Sequence, residues 1–70
     1  MTFWASNLRL ANLTEADLQR ADLSGADLWS ACLKGAKLKH AKLIKAYLWG
    51  AKLLDADLSG ADLKGAYLSR

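Results

Sequence analysis

One histidine, one cysteine and seven carboxylates are the groups in this 70-residue chain that could do chemistry. A nucleophile needs a base within hydrogen-bond reach and a third group to orient that base. Cys32 and His40 are the single pair on offer, and they fall in different places of a five-residue period, Cys32 second and His40 fifth. Pairing them requires reach across an edge with nothing to orient the imidazole. No catalytic residue is assigned, and the chain reads as a non-enzyme. A metal site fails for a related reason, since there is no C-x-x-C, no histidine pair and no acidic EF-hand loop. Asp17, Asp22, Asp27, Asp57 and Asp62 are spaced by multiples of five and read as solvated outward residues. The glycines recur at multiples of five too, without Walker or dinucleotide spacing, so turn chemistry accounts for them and no cofactor is expected.

Two constellations could bind a partner. From Ala31 to Leu54 stand Lys34, Lys37, Lys39, Lys42, Lys45 and Lys52 with no carboxylate among them, while the flanks carry all seven acids. The net charge of +3 is therefore a central basic band, of a kind that can meet phosphates or anionic lipid. The second constellation is aromatic: Trp29 and Trp49 are twenty residues apart, as are Tyr47 and Tyr67. What either set does depends on the elements that carry it.

Those elements follow from the period. Cut from Met1, the chain falls into fourteen fives; Leu fills the third position thirteen times, from Leu8 to Leu68, and Ala the first position twelve times. An α-helix would rotate successive leucines by roughly 140° and scatter them around its cylinder. A plain strand would send them to opposite faces, because five is odd and the pleat repeats at two. Something must turn the chain once per repeat. Gly25, Gly35, Gly50, Gly60 and Gly65 all occupy the fifth position. A type II turn needs positive φ at its third residue, which glycine adopts freely. Each repeat is then a short extended segment closed by a corner, with Ala and Leu inside and the second residue outside.

The tandem A-(D/N)-L-x-x units, such as ADLSG, ADLQR and ANLTE, resemble the pentapeptide-repeat family along the whole chain. The resemblance implies an all-β fold, a right-handed quadrilateral β-helix with four repeats per coil. Fourteen repeats would make about three and a half coils, roughly 17 Å tall at about 4.8 Å per coil. Residues 1–70 are expected to form one domain. An offset of twenty stacks Asp22, Lys42 and Asp62, and Asp17, Lys37 and Asp57, with alternating sign; fifteen gives one comparable ladder, Asp27, Lys42 and Asp57, and stays open.

At twenty residues per coil, Trp29, Tyr47, Trp49 and Tyr67 share one outward face and are the candidate partner-binding residues. The lysine band crosses the other three faces. Lys37 and Lys42 have acidic neighbours above and below and the band has almost no Arg, so solvated surface is preferred over a nucleic-acid site. Some members of the family are DNA mimics that bind type II topoisomerases such as gyrase. Mimicry demands a long negative rod, from which this short, net positive chain departs. The leading expectation is a non-enzymatic scaffold presenting flat faces to an unnamed protein partner. A DNA mimic, or a nucleic-acid-binding module using the lysines, is the alternative.

The ends and setting complete the reading. The frame begins at Met1 and closes at Arg70, as in a fragment, a minimal repeat protein or one that covers its ends by self-association. Met1, Phe3 and Trp4 are expected to fold over the N-terminal opening as a plug. The C-terminal coil has no such cover, so Leu63 and Leu68 are the candidate contacts of an end-to-end homodimer. A single cysteine, and no run long enough to span a bilayer, point to a cytoplasmic protein without a membrane span.

Overall fold

The computed structural model describes residues 1–68; the last corner of the repeat frame, Ser69 and Arg70, lies outside the described residues. Ten parallel bridges join second-position residues, and every one pairs residue i with i+20, from Thr2 with Asp22 to Tyr47 with Tyr67. The offset of fifteen is thereby excluded. Between bridged residues the chain turns four times, each time with the first-position N–H donating to the carbonyl three residues back, as Ala26 does to Leu23 at 3.0 Å.

Each repeat contributes one bridged residue to its face instead of a longer strand. The coils are held by a regular exchange of backbone hydrogen bonds. The Leu23 N–H donates to Lys42 O at 2.7 Å, the Gly25 N–H to Ile44 O at 2.9 Å, and the Lys42 N–H returns to Ala21 O at 2.9 Å. The same pattern recurs from Phe3 onward, so the backbone groups that a short repeat cannot satisfy by itself are satisfied by the next coil. The described chain measures 19 × 19 × 18 Å along its principal axes.

Every corner from Ala5 to Gly65 has positive φ, between 54° and 71°. Eight of these corners are not glycine, among them Glu15, His40 and Lys45. The sequence advertises the turn only where glycine stands. Elsewhere the coil imposes a left-handed conformation that costs an ordinary residue about 1–2 kcal/mol. Glycine has a second use here: a Cβ built on Gly60 would run into the His40 ring, coming within 2.7 Å of Cε1, because the imidazole lies over that corner from the coil before.

The core is narrower than thirteen inward leucines suggest. Leu18 through Leu48 are buried in the third positions, with Ala21 through Ala46 in the first. Leu8, Leu13, Leu53, Leu58 and Leu63 are only partly covered, and Leu68 is 56% exposed. The reason is stacking: Leu23 through Leu48, at most 4% exposed, have a coil on both sides, and Leu18, at 5%, is the one buried leucine with a coil on one side alone. The N-terminal plug does not form. Phe3, in a third position, packs against the core, but Trp4 is 67% exposed and Met1 64%. Trp4 takes the outward fourth position of its repeat, as Trp29 and Trp49 do, and no described coil lies beneath Met1.

Candidate functional site

The second residue of each repeat turns out to have a local task. In seven repeats its Asp or Asn Oδ1 accepts from the backbone N–H two residues on, at 3.0–3.2 Å, as Asp22 does from Ser24 and Asn7 from Arg9. This Asx bond satisfies the fourth-position N–H, which the ladder between coils does not use. Asp22 is held below the usual carboxylate range by the Ser24 backbone N–H, then by its hydroxyl and more weakly by Lys42. Asp57 is lowered by the Ser59 hydroxyl, a 2.6 Å bond, then by the Ser59 N–H. The carboxylates serve their own turns. Asp22, Lys42 and Asp62 do stack, as do Asp17, Lys37 and Asp57. Yet among the described residues the one ion pair is Arg9–Asp27, not a lysine ladder.

Cys32 occupies the same place in its repeat, half-buried, with the Thr14 hydroxyl at 3.2 Å. Hydrogen bonding from Thr14, then from the Lys34 N–H, lowers its thiol pKa, with Lys52 and Lys34 adding a smaller pull. Thr14 has a single hydroxyl proton, and it also donates to Asn12 at 2.7 Å, so a thiolate at Cys32 must compete for it. His40 lies instead against Gly60, and no hydrogen bond joins it to Cys32. Among the described residues no group of three His, Cys, Asp or Glu side chains could hold a metal ion.

The aromatic residues are brought together. Tyr47 and Tyr67 stack with ring centroids 4.8 Å apart and planes 7° from parallel. Trp29, Tyr47 and Trp49 line a shallow depression of about 220 Å³ together with Arg9 and Asp27. The Arg9 guanidinium lies 4.7 Å from the Trp29 ring centroid, and its Nε is 3.8 Å from Asp27 Oδ2. Sequence reading assigned the four aromatics to this face and missed Arg9 and Asp27. The signal was present: Arg9 is twenty residues before Trp29 in the fourth position, and Asp27 twenty before Tyr47 in the second.

Lys34, Lys37, Lys39, Lys42, Lys45 and Lys52 are all exposed, and Lys37, Lys42 and Lys52 take bridged second positions on the other three faces. Leu63 is partly covered and Leu68 open at the C-terminal coil, where the end-to-end contact was expected. No helix among the described residues is long and apolar enough to cross a membrane.

Comparison with known proteins gives these features a family. No curated protein matches the chain. Among solved structures, the chain is similar to HetL, a pentapeptide repeat protein involved in heterocyst differentiation regulation from the cyanobacterium Nostoc sp. strain PCC 7120. Identity is 41% and the TM-score 0.79, over 96% of this chain and 34% of HetL. It is also similar to Rfr23, a pentapeptide repeat protein from the cyanobacterium Cyanothece 51142, at 32% identity and TM-score 0.72, over 99% of this chain and 54% of that one. The chain thus spans about a third of one relative and about half of the other. These likenesses imply a right-handed β-helix and a structural repeat scaffold, of a kind that is generally non-enzymatic. The family profile described as pentapeptide repeats matches residues 2–29 and 31–70 in eight copies, and the chain belongs to that family.

Proposed function

We propose that this chain is a non-enzymatic scaffold that presents the face bearing Trp29, Tyr47, Trp49 and Tyr67 to a protein partner. The observation that carries this reading is the exposure of the four aromatics, 38% to 48% each, on one face, where Trp29, Tyr47 and Trp49 line one depression and Tyr67 stacks on Tyr47. Large aromatic side chains left in water and gathered on one face are the composition of binding hot spots. Twenty-residue bridging and four corners per coil support a quadrilateral cross-section of about three and a half coils, with residues 1–70 as one domain. Such a face is flat. HetL is involved in regulating differentiation, and that likeness favours a regulatory protein as the partner, met in the cytoplasm.

The test is site-specific photo-crosslinking in native cells, with the crosslinking residue placed at Tyr47 or at Lys37. A defined adduct from position 47, absent from position 37 and lost in a Trp29→Ala, Trp49→Ala variant of unchanged melting temperature, is the expected result. Equal adducts from both positions would remove the aromatic face from the proposal. A DNA-mimic function is opposed by the exposed lysines that interrupt the acidic flanks. Nucleic-acid binding through the same lysines would require phosphate contacts that withstand physiological salt.

End-to-end pairing of two copies is part of the same proposal. Leu68 is open and Leu63 partly covered at the C-terminal coil, whose outer backbone groups a second copy could pair. Sedimentation of the wild type beside Leu68→Lys tests it: a monomeric wild type, or a dimer indifferent to the substitution, rules it out.

A further inference from the structure

The aromatic depression already holds a cation, and the cation is the protein's own. Arg9 reaches from one coil to the next, lies over Trp29 and pairs with Asp27, while Tyr47 and Trp49 form the remaining lining. We propose that this depression is a subsite for a guanidinium or ammonium side chain of a basic partner segment, which enters by displacing Arg9. This rests on the scaffold reading above and names the chemistry of the partner.

Three observations support a cationic occupant over a neutral one. A guanidinium sits at cation–π distance from Trp29, so the ring face is placed to receive one. Asp27 supplies a carboxylate at the edge of the same depression, with Oδ1 held by the Trp29 N–H at 3.2 Å and Oδ2 directed to Arg9. The six lysines of the basic band stand off this face: its charged residues among those described are Arg9 and Asp27 alone, with Lys45 at the adjoining corner. An incoming cation therefore meets one positive group, and displacing that group restores the carboxylate and the Trp29 face together.

Displacement is cheap. Side chains of Arg9 and Asp27 are 51% and 37% exposed, and an exposed pair of this kind adds little stability. Arg9 then acts as a weak internal competitor, lowering affinity for any partner cation by about three- to thirtyfold, the combined range of an exposed ion pair and an exposed cation–π contact.

The experiment uses the full chain and a short peptide, Gly-Ser-Arg-Gly-Ser, beside the same peptide with citrulline, the uncharged isostere of arginine. NMR follows the indole Nε1–H resonances of Trp29 and Trp49, assigned through Trp29→Phe and Trp49→Phe. Arginine peptide should shift both, with a Kd on the order of millimolar for one side chain, and citrulline peptide should shift neither. Arg9→Ala should bind three- to thirtyfold tighter. Asp27→Asn, which keeps the Asx acceptor as Asn7 and Asn12 do, should bind about tenfold weaker with the fold intact. Equal shifts with citrulline, no shift with arginine, or weaker binding by Arg9→Ala would each overturn the proposal. Failure here together with a crosslink from position 47 would remove the cationic partner and leave the aromatic scaffold standing.

Discussion

The middle and the flanks of this solenoid build the same twenty-residue coil in different ways. In the middle, Leu33, Leu38, Leu43 and Leu48 are sealed from water, while the second positions hold Cys32, Lys37, Lys42 and Tyr47. Toward the ends, Leu8, Leu13, Leu58 and Leu63 are only partly covered, and the residues before them are Asn7, Asn12, Asp57 and Asp62, each bonded to the fourth-position N–H of its own repeat. Burial in a solenoid comes from neighbours, so a repeat with one neighbour gains less of it. Local turn bonds do not depend on neighbours. The chain has them in the repeats of both ends and also in the sealed repeats of Leu18, Leu23 and Leu28, and no Asp or Asn supplies one from Cys32 to Lys52.

The largest break in this contrast is a charge in the tube. Leu38→Asp should unfold the domain, because a carboxylate would be buried against leucines with no partner. The same substitution at Leu63 should leave a folded protein of lower melting temperature, since that side chain reaches water. Lys39→Asp, one residue beyond Leu38 and exposed, should be nearly silent. Circular dichroism melts compare the three, and equal losses at Leu38 and Leu63 would erase the difference between middle and flank.

A smaller effect separates the corners. Gly25→Ala should cost about 1–2 kcal/mol, the preference against a left-handed backbone, because its new Cβ would meet nothing closer than the Ala5 Cα at 3.9 Å. Gly60→Ala should cost more, since it must also displace the His40 ring. Adding His40→Ala to Gly60→Ala should bring the loss back to the Gly25 level in urea melts. If that second change gives no relief, the imidazole is not what the glycine accommodates.

The inward register was plain from Leu and Ala at odd positions of each five, because burial selects residue type without regard to the coil's shape. The coil length was only half legible: outward ladders favoured twenty over fifteen, and the bridges decide it. The corners at Glu15, Arg20, Ser30, His40 and Lys45 carry no sequence mark, since only glycine announces positive φ. The tasks of Asp22 and Asp57 were hidden for another reason. An outward position tells where a carboxylate starts and not that it bends back to a neighbouring N–H. Arg9 escaped notice because its length carries it into the next coil, and a side chain's reach is not part of a positional pattern.

Acid should first weaken the turns that Asp22 and Asp57 hold, one in a sealed repeat and one toward the C-terminal end. The folded-state pKa values of Asp22 and Asp57 lie below their ordinary value, so the stability these groups contribute is present above about pH 4 and is lost as pH falls through the lowered values. Melting temperature should therefore decline as pH drops from about 4, and hydrogen exchange should quicken first at Ser24 and Ser59. An Asp22→Asn, Asp57→Asn variant keeps a neutral acceptor at both sites and should show a shallower decline. An unchanged slope would detach acid sensitivity from these turns.

The smallest effect is a gain. Lys37 stands where Asp17 stands one coil before and Asp57 one coil after, and it offers the Lys39 N–H no acceptor. Lys37→Asn would supply one in the geometry already used by Asn7 and Asn12, without placing a third negative charge in the column. A net hydrogen bond at an exposed turn contributes about 0.5 kcal/mol. Against it stands the lost attraction of Lys37 for Asp17 and Asp57, which are bridged to it and yet make no ion pair with it within the described residues. Such an unformed, solvent-screened pair is worth little. The Asn variant should thus melt slightly above the wild type, and Lys37→Ala, which removes the charge without adding an acceptor, at or below it. If asparagine proves no better than alanine, the turn bond adds nothing at this repeat, and the middle of the solenoid differs from its flanks in burial and charge without a cost for the missing acceptor.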